Sequence, residues 1–235
     1  MGSGYGTTNS AYFSSILGRE DPGGPMWALN LMKYRPHAEY ADGRPTSLTG
    51  AQADDLYVPE GPLAAVGASI VFGGDVFHQL RGDATRWDRV GIVRYPTRRA
   101  IVDMNMREDF REKHVHKEAG MAFTIVVASF PEEVLAEPAP AATAGCVLVQ
   151  LVADPSAPDV AAGVASTRLA RFSVEDVMIG DDRRFGEARF DLLDFAAAEA
   201  LAARGTESDD TGYAVLVRPS IDELVASVGD ATSVT

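Results

Sequence analysis

Apolar and polar positions along the 235 residues follow two periods. Alternating or continuous apolar runs predict strands at 27–34, 69–80, 90–95 and 122–130. Leu48, Ala51, Leu56, Leu63 and Val66 fall at helical spacing, and Pro59 and Pro62 interrupt them, which predicts a broken helix over 48–66. Pro96 and Thr97 open a helix over 98–105, and a charged stretch, 108–118, continues as a second helix that stops at Gly120. Gly73 and Gly74 mark a bulge within the second strand. The order is β-α-β-β-α-β. Residues 1–25, rich in Gly, Ser and Asn and ending in DPGGP, are expected to form a poorly ordered lead-in.

After a Pro/Ala segment over 132–144 (EEVLAEPAPAATA) the order starts again. Strands are expected at 146–153, 168–179, 189–195 and 213–217, with helices at 158–165, 196–204 and 221–228. VFGGDV at 71–76 lies against FSVEDV at 172–177, and RVGIVRY at 89–95 against ARFDLLDF at 188–195, so the halves look like a diverged repeat. A βαββαβ unit covers one sheet face with its own helices, and its other apolar face must find a partner. Two units joined by a short linker cover each other. The expected fold is α+β: two tandem ferredoxin-like βαββαβ repeats, 26–131 and 145–235, closing a barrel within one chain. The corresponding assembly is a monomeric pseudo-dimer or a homodimer.

Composition narrows the partners. The net charge of −13 disfavours nucleic acid and anionic membranes. One Cys excludes an internal disulfide or a multi-thiolate metal site, and no apolar stretch is long enough for a helical span. The N-terminus shows no basic-then-apolar export signal, so a cytoplasmic location is expected. The halves differ chemically. All four His, all three Lys and both Trp precede residue 132, and the net charge is −4 over 1–144 against −9 over 145–235. A working pocket is therefore expected in the first half, with the second as lid or scaffold.

The segments NLMKYRP, WDRVGIVRYP and HKEAG, in that order, resemble the domain of unknown function 1330 family over about 26–131. The resemblance implies the dimeric α/β-barrel superfamily, whose members include polyketide cyclases, lactone isomerases, cofactor-free monooxygenases and haem enzymes. It implies a fold and a pocket rather than one reaction.

Candidate chemistry sits on a few residues. Asn30, Met32 and Tyr34 share one face of the first strand, where an amide and a phenol among apolar neighbours suit a ligand pocket, or where Asn30 simply satisfies backbone. Arg94 lies mid-strand and either anchors an anionic oxygen or forms an ion pair, with Asp75, Asp88, Asp191 and Asp194 as candidate partners. His114 and His116 diverge by about 200° on a helix, which disfavours a shared metal. Either is a candidate general base, or both decorate a solvated helix end. Tyr57 is a candidate lid and Trp87 a candidate stacking platform or core residue. No phosphate loop, nucleophile elbow or dinucleotide fingerprint occurs, so no cofactor and no metal is expected. The expected activity is cofactor-independent enolisation of a small apolar metabolite, of cyclase or isomerase type. A cofactor-free monooxygenase and a non-catalytic small-molecule binder are the alternatives.

Overall fold

The computed structural model describes residues 5–20, 23–135 and 145–232. In chain order the elements are β1 (Thr7–Thr8), α1 (Ser10–Leu17), β2 (Met26–Tyr34), α2 (Gly50–Tyr57), α3 (Glu60–Ala65), β3 (Ser69–Gly82), β4 (Arg89–Tyr95), α4 (Arg98–Met106), α5 (Glu108–Gly120) and β5 (Met121–Val134). The second half holds β6 (Cys146–Val152), β7 (Thr167–Gly180), β8 (Glu187–Leu193), α6 (Phe195–Ala202), β9 (Glu207–Ser208), β10 (Gly212–Asp222) and α7 (Leu224–Thr232).

The fold is α+β. Eight strands pair antiparallel in the order β7-β5-β2-β4-β3-β10-β6-β8, and β8 pairs back onto β7 to close a barrel. The first half contributes β5-β2-β4-β3 and the second β10-β6-β8-β7. They meet at two seams, β5 with β7 and β3 with β10. Both seams carry register shifts, which let long strands bend from one sheet into the other. Gly74 serves this bend: a Cβ there would stand 2.3 Å from the Arg218 carbonyl oxygen of β10.

Alternation along each strand sorts residues between the barrel interior and the helix layer. Trp27, Leu29, Leu31, Val90, Ile92 and Val127 point inward and meet Val147, Val149, Phe172, Phe190 and Val215 from the second half. Helix α7 closes one end of this core with Leu224, Val225 and Val228, and its Ser227 hydroxyl accepts a hydrogen bond from the Trp27 indole at 3.0 Å.

Three expectations are corrected. Within the expected lead-in, residues 5–20 are structured: β1 adds to β7, Thr7 opposite Gly180, and α1 is capped by Asn9, whose side chain also donates to the Val177 carbonyl at 3.0 Å. The helix expected over 158–165 is a run of turns. Gly163 stands at φ 77°, a left-handed conformation that a right-handed helix cannot contain, and the turns are held by Asp159, which accepts from Gln150 at 2.7 Å and from the Ala161 amide at 2.9 Å, and by Gln150, which accepts from the Val160 amide at 3.0 Å. The second half therefore departs from a full βαββαβ pattern. Of the expected linker, Glu132 and Glu133 belong to β5, and 136–144 lies outside the described residues.

Gly74→Val is expected to lower unfolding free energy by about 1–3 kcal/mol, because its methyls have no room at the seam. The urea midpoint measures this, and an unchanged midpoint means that the strands part without cost.

Candidate functional site

The helix-covered face of the first-half sheet encloses a cavity of about 350 Å³. Its floor is set by register: Ala28 opposite Val93, Asn30 opposite Gly91, and Met32 opposite Arg89. Small residues at Ala28 and Gly91 leave room where the helices cross above. Leu63, Ile101, Met104 and Phe110 supply apolar walls from α3, α4 and α5, and Met178 and Ile179 of β7 extend them from the second half.

The polar groups come from three directions. Helix α5 begins with Glu108 and Asp109 in its first turn, which suits the helix dipole, and presents Phe110, His114 and Lys117 to the cavity along one face. Helix α2 starts with a capping box between Thr49 and Gln52 and carries Asp54 and Tyr57. These helices touch backbone to backbone at Gly50 and Gly120, where a Cβ on either would lie 2.4 or 2.3 Å from the other's carbonyl oxygen. Tyr5 arrives from the N-terminal segment, its carbonyl fixed by the Thr124 amide at 2.9 Å.

Among these groups, the Tyr5 hydroxyl and His114 Nε2 are 3.0 Å apart, and His114 Nδ1 is buried without a partner. The Phe110 and Tyr57 rings pack on the imidazole, with centroids at 5.1 and 5.8 Å. Burial, helped by the Lys117 charge, pulls His114 down to about 4, so it is neutral at pH 7. Lys117 is 9% exposed, its ammonium is 5.0 Å from the Tyr57 ring centroid, and it forms no ion pair among the described residues. Burial lowers its pKa, and the Asp54 charge opposes that shift. Asp54 accepts from the Tyr34 hydroxyl at 2.6 Å, has Arg89 at 3.7 Å, and keeps its buried Oδ1 unpartnered. Burial also raises the pKa of Tyr5 and of Tyr57, keeping both phenols protonated.

Of the candidates from sequence, His114, Asn30 and Tyr57 line this cavity. Asn30 also donates to the Ala28 carbonyl at 3.0 Å. Tyr34 stands behind the cavity as the donor to Asp54. Three expectations are corrected. His116 turns away and bonds Tyr40 at 2.7 Å, as the helical divergence requires. Arg94 sits opposite Trp27 and shares its barrel face, with its guanidinium 5.6 Å from the indole. None of its candidate partners reaches it: Asp75 bonds Arg89, Asp88 bonds Lys33, Asp191 bonds Arg168, and Asp194 caps α6. Of the two readings of Trp87, the stacking platform gives way to the core one: it is barrel core, stacked on Phe123 at 5.8 Å and edge-on to Tyr213 at 5.2 Å.

The residues missed are Tyr5, Asp54, Arg89 and Lys117. Lys117 was within reach, since it follows His114 by three residues on a predicted helix. Among the described residues no three His, Cys, Asp or Glu side chains converge as a metal site, and no helix is long and apolar enough to cross a membrane.

No protein-family model and no curated protein matches the chain. Solved structures similar to it include a protein of unknown function from Rhodopseudomonas palustris, at 28% identity over 60% of this chain and 99% of that one, with a TM-score of 0.47. A candidate monooxygenase from Lactobacillus acidophilus aligns at 10% identity over 86% of this chain and 97% of its own, with a TM-score of 0.39. Another from Fusobacterium nucleatum aligns at 7% over 83% and 93%, with a TM-score of 0.41. All three scores lie below 0.5, so the candidate site is assigned from the chain's own residues.

His114 gives a pH signature. The unfolded imidazole takes up a proton near its usual 6.5 and the folded one only near 4, so its contribution to stability is complete above 6.5 and is lost as pH falls toward 4. The full shift amounts to about 3 kcal/mol. Urea midpoints of the wild type are expected to fall more steeply between pH 7 and 4.5 than those of His114→Gln. Parallel curves for the two proteins contradict the assignment.

Proposed function

We propose that the cavity takes up a small, largely apolar carbonyl compound and removes a proton beside the carbonyl, the first step of an isomerase or cyclase reaction. The observation that carries this is the pairing, on one face of α5, of a neutral His114 with a buried Lys117 that has no ion pair among the described residues, both facing an apolar cavity. When Tyr5 accepts from Nε2–H, the lone pair on Nδ1 is left to take the substrate proton. Lys117 offsets the negative charge that develops on the carbonyl oxygen, in surroundings where water does not screen it. Asp54, held by Tyr34 and Arg89, keeps the positive charge on Lys117 from being lost entirely.

The same reading extends to kinship. Residues 26–131 are inferred to belong with the domain of unknown function 1330 proteins, and 145–235 to be a degenerate copy of the same ferredoxin-like unit. The matching strand orders β5-β2-β4-β3 and β10-β6-β8-β7 support this.

The test follows exchange of α-hydrogens for deuterium in a probe ketone, 4-phenyl-2-butanone, by NMR in D2O. Wild-type protein is expected to accelerate exchange, and His114→Gln to slow it by about 10²-fold or more. Equal exchange rates for the two proteins, with the probe bound, mean that the cavity binds without catalysing. Oxygen uptake during the same assay identifies the monooxygenase alternative, in which O2 captures the carbanion.

A further inference from the structure

We propose that Lys117 is a nucleophile that joins the carbonyl substrate as an iminium, an inference that rests on the carbonyl-binding reading of this cavity. The chain has three lysines, and they stand in different surroundings. Lys33 is ion-paired with Asp88 at 3.0 Å, and Lys113 donates to the Val58 carbonyl at 3.1 Å at the surface. Lys117 alone of the three lines the cavity, nine-tenths buried, with no hydrogen bond or ion pair among the described residues. A buried amine in apolar surroundings keeps a larger share of its neutral, nucleophilic form. The Tyr57 ring, packed in turn on Phe110 and on the imidazole of His114, lies 5.0 Å from the ammonium, so the amine meets an aromatic face and no carboxylate among the described residues.

The chemistry closes on groups already present. The neutral amine adds to the carbonyl carbon, forming a C–N bond as the C=O π pair moves to oxygen, and one N–H proton passes to that oxygen to give a neutral carbinolamine. A proton from solvent adds to the hydroxyl, water leaves with the C–O bonding pair, and the nitrogen lone pair forms the C=N, which leaves a cationic iminium that keeps its remaining N–H. His114 removes the α-proton, the C–H pair becomes a C=C bond, and the C=N π pair returns to nitrogen, giving a neutral enamine. Reprotonation at carbon and addition of water reverse the sequence and free the amine. The positive charge that offsets the developing enolate is thereby moved onto the atom bonded to the reacting carbon. His114 precedes Lys117 by three residues on the helix, so base and iminium approach the substrate from the same face.

The experiment incubates the full chain with 3-phenylpropanal and sodium cyanoborohydride, whose hydride converts an iminium into a stable secondary amine, and maps the adducts by peptide mass. One reduced probe per chain is expected, with Lys117 labelled at least about tenfold faster than Lys33, Lys113 or the N-terminal amine. Lys117→Met, checked for folding by circular dichroism, is expected to lose that adduct, whereas Lys33→Arg retains it. Labelling spread evenly over the amines of the wild-type chain overturns the proposal, whether or not either variant folds. If α-deuterium exchange in the ketone persists without a Lys117 adduct, the covalent step falls and the carbonyl-binding reading stands. If neither is seen, both fall.

Discussion

Everything in this molecule depends on a sheet with two apolar faces and one set of helices. Each four-stranded half can cover one face with its own elements, and the other face would be left to water. Closing the two halves into one barrel removes that exposed face and both sheet edges together. Trp27 and Phe172, one from each half, meet at 5.9 Å between ring centroids in the resulting core, and Phe172 meets Phe190 at 5.7 Å. Because the barrel interior is filled by packed side chains, a ligand cavity has to lie on the other side of the sheet, beneath the helices.

The two helix layers then diverge. In the second half α6 and the turns over 154–165 lie tightly on the sheet, with Ala161, Ala197, Ala198 and Leu201 packed against Leu148 and Leu216. Buried Gln150 and Asp191, with Asp159 and Arg168, fill what remains with a satisfied polar network. The first half has five helices, α1 to α5, around the corresponding face, and Ala28 and Gly91 on the sheet below them present little side chain to the cavity. The cavity is thus a consequence of small floor residues under a bulky helix layer. The chemical asymmetry legible in composition, with every His and Lys before residue 132, tracks this difference in packing.

How far the sequence disclosed this depends on the range of the interaction involved. Alternation in β2 correctly placed Asn30, Met32 and Tyr34 on one face, and the helical period correctly separated His114 from His116. The same alternation already set Arg94 apart from Gly91 and Val93, since it shares the face of Val90 and Ile92. What it left open was which face would be barrel and which cavity, and that follows only from the closure. Tyr5 was illegible for a different reason. Its neighbours are small and polar, and its burial arises from strand pairing with Gly180 and Ile179 and a bond to His114, all far along the chain. The helix expected over 158–165 failed because the backbone turns left-handed at Gly163, φ 77°, and Gln150, from a distant strand, joins Asp159 in holding the turns that replace it.

The long-range pairings also decide to which part of the chain the site belongs. Tyr5 and Phe13 reach the cavity only because the N-terminal segment is anchored on β7, through Asn9 and through Tyr12, whose hydroxyl donates to Glu175 at 2.7 Å. Glu175 is held in turn by Arg98 of α4 at 2.9 Å and by Arg19 at 3.3 Å, so one carboxylate of the second half ties two first-half elements together. Met178 and Ile179 of β7 and Ser220 and Ile221 of β10 complete the lining. The second half is therefore more than a lid or a scaffold. A chain cut at 131 would lose the wall supplied by β7, the anchor that places Tyr5 beside His114, and the cover on its barrel face. The chemistry sits on α5, but the low-dielectric enclosure that gives His114 and Lys117 their shifted protonation is a property of the closed barrel.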